Sequence, residues 1–124
     1  MTRWSRDELE ALGAADEVAI APRKRDGRLQ RPVTIWIVRV GDDLYVRSWR
    51  GTGGAWFRAA QAQQRGRLLA GDIEREVDFV AEPDPAINAR VDAAYRAKYR
   101  EHEPYVTEMV APTARATTLK LVPR

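Results

Sequence analysis

The chain has 124 residues, 44% of them hydrophobic and 31% charged, with a net charge of +3 at pH 7. That is the size of one domain, spanning 1–124, and the mixed signs of charge argue against disorder. The absence of cysteine and a single histidine, His102, exclude disulfides, cysteine nucleophiles and a metal site built on several thiolates or imidazoles of one chain.

No apolar run reaches the roughly 18 residues of a membrane span, and the first residues carry no apolar signal core. A cytoplasmic protein without membrane partners is expected.

In chain order, Ser5-Arg6-Asp7-Glu8 reads as a capping box that opens a short helix, with Gly13 as its stop. Residues 17–21 alternate as a strand. Pro22 to Gln30 is a charged turn whose tight point is Asp26-Gly27. Val33 to Val40 is apolar on both faces and predicts one central strand buried on both sides. Gly41-Asp42-Asp43 is hairpin chemistry, and 44–49 is the partner strand. A glycine-rich loop follows, with Gly51, Gly53 and Gly54, and then a helix over 56–64 with Trp56, Ala59, Ala60 and Gln63 on one side.

Strands are predicted over 66–71 and 73–80. Pro85 starts the longest helix, to Glu101. A short helical segment begins at Pro104, and Thr117 to Val122 is a final strand. About six strands with hairpin signals and three or four helices predict an α+β domain with a small antiparallel barrel or curled sheet.

Charge is unevenly placed. Residues 23–60 hold nine Arg or Lys against three Asp, a net of +6 in a chain of +3. The charge sits on loops around apolar strands, where binding groups are usually carried. Around Asp26-Gly27 stand Arg23, Lys24, Arg25, Arg28 and Arg31, a candidate anion nest with bidentate donors. The competing reading is a solvated hairpin tip.

A second cluster is Arg47, Ser48, Trp49, Arg50, Gly51 and Trp56, where a strand meets a helix. It offers a hydroxyl, guanidinium groups, flat indoles and a helix opening whose N–H groups suit phosphate. The competing reading makes Trp36 and Trp56 plain core and the glycines a loose connection. The loop is not a P-loop, because the Gly-Lys-Ser/Thr ending is absent.

Tyr95, Tyr99 and His102 share one helical face with Lys98 beside them. A general acid could come from that face, but packing of the tyrosines on the barrel is the favoured reading. Asp72, Glu74, Glu76 and Asp78 alternate along a strand as a solvent-facing row that guards against aggregation.

The stretches RPVTIWIVRVGDDLYVRSWRG (31–51), AYRAKY (94–99) and TTLKLVP (117–123) resemble bacterial domain-of-unknown-function family 2255. That resemblance covers nearly the whole chain and implies no activity. A more distant resemblance covers roughly 18–80. A basic turn, a Pro-led strand, a Gly-Asp turn, a Tyr-Val-x-Ser-x-x-Gly segment and an aromatic pair at a helix start are similar to deazaflavin-dependent nitroreductases. Those share the split β-barrel of FMN-binding, pyridoxamine-phosphate-oxidase-like proteins.

The matching positions are Arg23, Lys24, Gly27, Arg31, Pro32, Ser48, Gly51, Trp56 and Phe57. The resemblance implies a deazaflavin or FMN cofactor, its phosphate tail on the basic turn, a homodimer, and reduction of a small organic acceptor. Three departures stand against it: Asp26 replaces a small residue, Arg58-Ala59 follows the aromatic pair, and the Tyr95–Tyr99 helix has no counterpart.

The cofactor-binding residues expected are therefore Arg23, Lys24, Arg28, Arg31, Arg47, Ser48, Trp49, Arg50, Gly51 and Trp56. No catalytic residue is assigned and no metal is expected. The alternative function is a non-enzymatic binder of an anionic small molecule on the same fold. Nucleic acid ranks third, because the net charge is small and few exposed aromatics interleave with the basic residues.

Overall fold

A computed structural model describes residues 3–124. Its elements run α1 (Arg6–Ala14), β1 (Val18–Pro22), β2 (Val33–Ile35), β3 (Val38–Val40), β4 (Asp43–Val46), α2 (Ala55–Gln63), β5 (Arg65–Ala70) and β6 (Ile73–Ala81). They continue with α3 (Pro85–Lys98), α4 (Glu103–Met109), α5 (Pro112–Arg115) and β7 (Leu119–Pro123). Short 3-10 turns fill Gly51–Gly53 and Arg100–His102.

The strands form one sheet in the order β2-β1-β5-β6-β7-β4-β3, antiparallel throughout. Its two edges, β2 and β3, are separated in the chain only by Trp36 and Ile37. The three Cα–Cα steps from Ile35 to Val38 span at most about 11 Å. Edges so tethered must meet, so the sheet curls into a half-barrel that the chain closes without a ladder between β2 and β3. This is a split β-barrel, as the α+β expectation held, with seven strands and five α-helices among the described residues.

The expected central strand over 33–40 is corrected here. It is two strands at opposite edges. The break has a cause: the Ile37 N–H donates to the Tyr99 hydroxyl at 3.2 Å, and the Ile37 carbonyl accepts from Lys98 Nζ at 2.7 Å. Side chains at the C-terminal end of α3 and of its cap residue, Tyr99, thus take the backbone groups that a continuous ladder would have used.

Both faces of the sheet are covered. In β4, Leu44 and Val46 enter the barrel core with Ile20, Leu68, Val77 and Leu121, whereas Tyr45 faces a second cluster with Val38, Val91, Tyr95 and Tyr99 of α3. The capping box forms as read, Ser5 Oγ accepting from the Glu8 amide at 3.0 Å and the Glu8 carboxylate accepting from the Ser5 amide at 2.9 Å. Gly13 does not stop α1; the helix runs to Ala14 and Ala15 caps it. The buried residues of α2 are Phe57 and Ala60, with Trp56 only half-buried. Asp84 caps α3 by accepting from the Ala86 amide at 2.8 Å, with Pro85 in its first turn. The segment after Pro104 gives α4 and α5, which accounts for the larger helix number.

Candidate functional site

β4 leads directly into the second basic cluster. Arg47 is fully buried, and every donor of its guanidinium is used. Nε donates to Thr118 Oγ1 at 2.8 Å; Nη1 donates to Asp92 at 2.5 Å and to the Met109 carbonyl at 3.0 Å. Nη2 donates to the Asn88 carbonyl at 3.2 Å and to Asn88 Oδ1 at 3.0 Å. The other Asp92 oxygen accepts from Arg115. Removing an ion from water is costly, so a saturated pair of this kind has no donor left for a ligand.

The Ser48 N–H donates to Thr117 Oγ1 at 2.8 Å, while the Ser48 Oγ is buried without a partner. Trp49 is 53% exposed; its indole N–H donates to Glu108, and its ring meets Tyr105 edge-on at 6.4 Å. Arg50 is exposed, with no ion pair among the described residues. Gly51 turns the chain at φ +66, where a Cβ would be strained. Gly54 then caps α2 without a side-chain bond, and a Cβ there would stand 2.5 Å from Ser48 Oγ. Two glycines therefore let the loop fold back tightly over Ser48.

These residues line a mainly apolar groove of about 600 Å³. One wall is Val33, Thr34, Ile35 and Trp36; the floor includes Ser48; the rim is Trp49, Arg50, Ala55, Trp56 and Tyr105. Trp36 is held flat against Tyr99, centroids 3.9 Å apart and 2° between planes. A larger polar recess of about 860 Å³ lies between α1, the β3–β4 hairpin and β7. There Arg3, Arg6, Arg39 and Lys120 face Glu10, Asp42 and Asp43, so its charges compensate one another. The smaller groove is the better ligand site on chemical grounds.

The basic turn stands apart, and Arg23, Lys24, Arg28 and Arg31 are not among the groove-lining residues. Three backbone N–H groups around its tip are already committed. Lys24 N–H donates to the Arg28 carbonyl at 2.6 Å, Gly27 N–H to the Lys24 carbonyl at 2.9 Å, and Arg28 N–H to Asp26 at 3.0 Å. Asp26 thus acts as the turn's own anion. The Arg28 amide and guanidinium hold its carboxyl below the usual range, aided by the Lys24 charge. Arg23 bonds the Gly27 carbonyl at 2.7 Å and pairs with Glu76. Arg31 is exposed, two residues before Val33 of the groove wall.

Of the expected residues, the structure thus brings Arg47, Ser48, Trp49, Arg50 and Trp56 to one groove, with Gly51 shaping the loop. Sequence reasoning missed Glu17, Val33, Thr34, Ile35, Trp36, Tyr105 and Met109 as lining. No local motif marks them; long-range pairing puts them there. Tyr95 and Tyr99 pack as favoured. Burial raises both phenols, that of Tyr99 to about 12, so both stay protonated near neutral pH. The acidic row splits: Glu74 pairs with Arg67, Glu76 with Arg23 and Asp78 with Arg124.

Solved structures share the fold. A pyridoxamine 5'-phosphate oxidase assignment is carried by a Listeria innocua protein with TM-score 0.63 at 14% identity, covering 94% of this chain and 90% of that one. A FAD-binding protein from Mesorhizobium loti gives 0.57 at 15%, covering 97% and 88%. The haem storage protein HutZ from Vibrio cholerae gives 0.63 at 12%, covering 98% and 91%. The chain shares the split-barrel fold of these proteins.

It belongs to the bacterial family described as an uncharacterized protein conserved in bacteria, domain-of-unknown-function family 2255, matched over residues 8–121. Comparison with curated protein sequences gives no match. No helix among the described residues is long and apolar enough to cross a membrane.

Proposed function

We propose that the groove between β2 and the Ser48–Trp56 loop binds a flat flavin-type ring carrying an anionic tail, FMN or its deazaflavin analogue. The observation that carries this reading is the pairing of apolar and aromatic walls with one uncommitted guanidinium, Arg50, beside the uncapped start of α2. Such walls receive a ring by excluding water, and Arg50 with the α2 amides receives a phosphate. Trp36, Trp49 and Trp56 supply flat faces. The Ser48 hydroxyl is a donor in want of an acceptor, and a buried polar group without a partner costs about 1–3 kcal/mol. Arg31, within about 7 Å of extended chain from Val33, is the nearest of the basic turn's cations to extend the anion site.

Bound there, a flavin-type ring supplies hydride or electron transfer, and the chain orients it and keeps water out. Reduction of a small organic acceptor in the cytoplasm is the enzymatic form of this reading. Binding without turnover is its alternative. A second copy of the chain would cover the exposed Trp49 and Tyr105 at the rim, in keeping with the dimer that the resemblance implies.

Titration of the purified protein with FMN, FAD, deazaflavin and haemin tests it. Quenched flavin fluorescence at micromolar concentration is the expected result. A silent titration with all flavins, or a Soret shift with haemin alone, contradicts it.

A further inference from the structure

The charged side chains lining the groove are Glu17, Arg47 and Arg50. Arg47 is neutralised by Asp92, which leaves one acid and one base. They belong to facing sides. Arg50 is part of the Ser48–Trp56 loop, whereas Glu17 is part of the β2 wall. Val18 pairs with Ile35, so the residue before Val18 comes alongside Trp36.

Glu17 is kept there by the backbone next to it. The Tyr99 hydroxyl donates to the Asp16 carbonyl at 2.8 Å, and the Tyr99 ring stacks on Trp36. Burial is the main reason the Tyr99 phenol is raised, and the Asp16 and Glu17 charges add to it, so both carboxylates act on the stack at close range. The Glu17 side chain itself is exposed, with no hydrogen bond or ion pair among the described residues. Its neighbours are engaged elsewhere. The Lys98 ammonium donates to the Ile37 carbonyl, and Glu108, the acid beside Trp49, accepts from that indole.

We propose that the groove binds a small planar organic cation, one with a quaternary or ring nitrogen, whose charge lies against Glu17 and the indole of Trp36. Trp36, Trp49, Trp56 and Tyr105 all line the groove. The face of an aromatic ring is electron-rich and attracts a cation, and a carboxylate at its edge adds Coulomb attraction. An alkylated or delocalised nitrogen gives up less hydration on entering apolar walls than a primary ammonium does, so it is the better fit.

Glu17 is also misplaced for an anionic ligand alone. A carboxylate on one wall repels a phosphate-bearing ring, and a cation beside that carboxylate removes the repulsion. In the flavin reading, on which this step rests, the cation is the second occupant, the compound presented to the ring. The features that hold it, Glu17 and the aromatic walls, are nevertheless present without the flavin.

Nicotinamide, a neutral planar ring, and its ring-N-methylated cation are titrated separately into isotopically labelled, flavin-free protein at constant ionic strength. Nuclear magnetic resonance follows the tryptophan indole N–H signals. The proposal expects the Trp36 signal to move while that of Trp4, bonded to the Leu121 carbonyl away from the groove, stays in place. The cation should bind about fivefold more tightly than the neutral ring. In Glu17→Gln, which removes an exposed and unpartnered charge, that ratio should fall to about twofold or less. Equal affinities in the wild type, a ratio that survives Glu17→Gln, or no shift with either compound overturns the proposal. FMN titrated into a second sample separates the two readings. FMN binding with equal affinities for the two rings keeps the flavin site and overturns the cation, whereas a cation preference without FMN binding supports the cation and contradicts the flavin.

Discussion

Two arginines three residues apart, Arg47 and Arg50, and two basic segments, 23–31 and 47–56, behave in opposite ways. Arg47 makes five hydrogen bonds to α3, the end of α4 and Thr118 just before β7, whereas Arg50 keeps its guanidinium in solvent at the groove rim. Likewise the turn over 23–31 is more basic in sequence, but its Arg28 pairs with the turn's own Asp26 and its Arg23 with Glu76 of β6. The lesson is that a count of basic residues measures charge and not its availability. What makes a cation a ligand is the absence of an internal acid.

The largest effect that would sharpen this contrast is on stability. Arg47→Met leaves Asp92 buried with Arg115 as its remaining partner, and should cost about 3–5 kcal/mol in urea unfolding. A loss below about 1 kcal/mol would show that the pair is not holding α3 to the barrel.

Gly54→Ala comes next. Its Cβ would meet Ser48 Oγ at 2.5 Å, so the loop must shift, at about 1–3 kcal/mol, with weakened ligand binding in the same titration. Arg50→Ala should leave the unfolding midpoint where it is and reduce affinity for FMN about tenfold, the equivalent of about 1.4 kcal/mol.

A smaller, pH-dependent difference belongs to Lys98. Its folded pKa is depressed to about 8 from an ordinary 10.5. The unfolded chain then binds more protons across that window, so stability rises with pH through it. The wild type should gain on Lys98→Met between about pH 8 and 10.5 and show a flat difference below pH 7, read by unfolding at each pH.

The smallest effect is expected of the turn. Lys24→Ser with Arg28→Ser should change stability by no more than about 0.5 kcal/mol, since both side chains are exposed.

Much of the fold could be read from local chemistry. The Ser5–Glu8 box, the Asp84-Pro85 helix start and the 41–43 hairpin each carry their signal within a few residues. The class of fold and the Ser48–Trp56 side of the groove were legible for the same reason. The split of 33–40 was not, because it depends on Tyr99 and Lys98 reaching Ile37 from 62 and 61 positions away. An all-apolar run reads identically whether it is a central strand or two edges covered by helices. The groove's other wall was hidden with it. Arg47 was illegible in a different way: only the fold brings Asn88, Asp92 and Thr118 around it.

The central claim is that the anion-binding charge is Arg50 in the groove and not Lys24 and Arg28 at the tip of the basic turn. Parallel FMN titrations of the wild type, Arg50→Ala and the Lys24→Ser/Arg28→Ser double variant, followed by flavin fluorescence, test it most directly. The account predicts binding by the wild type, about tenfold weaker binding by Arg50→Ala and unchanged binding by the turn variant. Loss of binding in the turn variant with Arg50→Ala unaffected, or no FMN binding by the wild type, would contradict it.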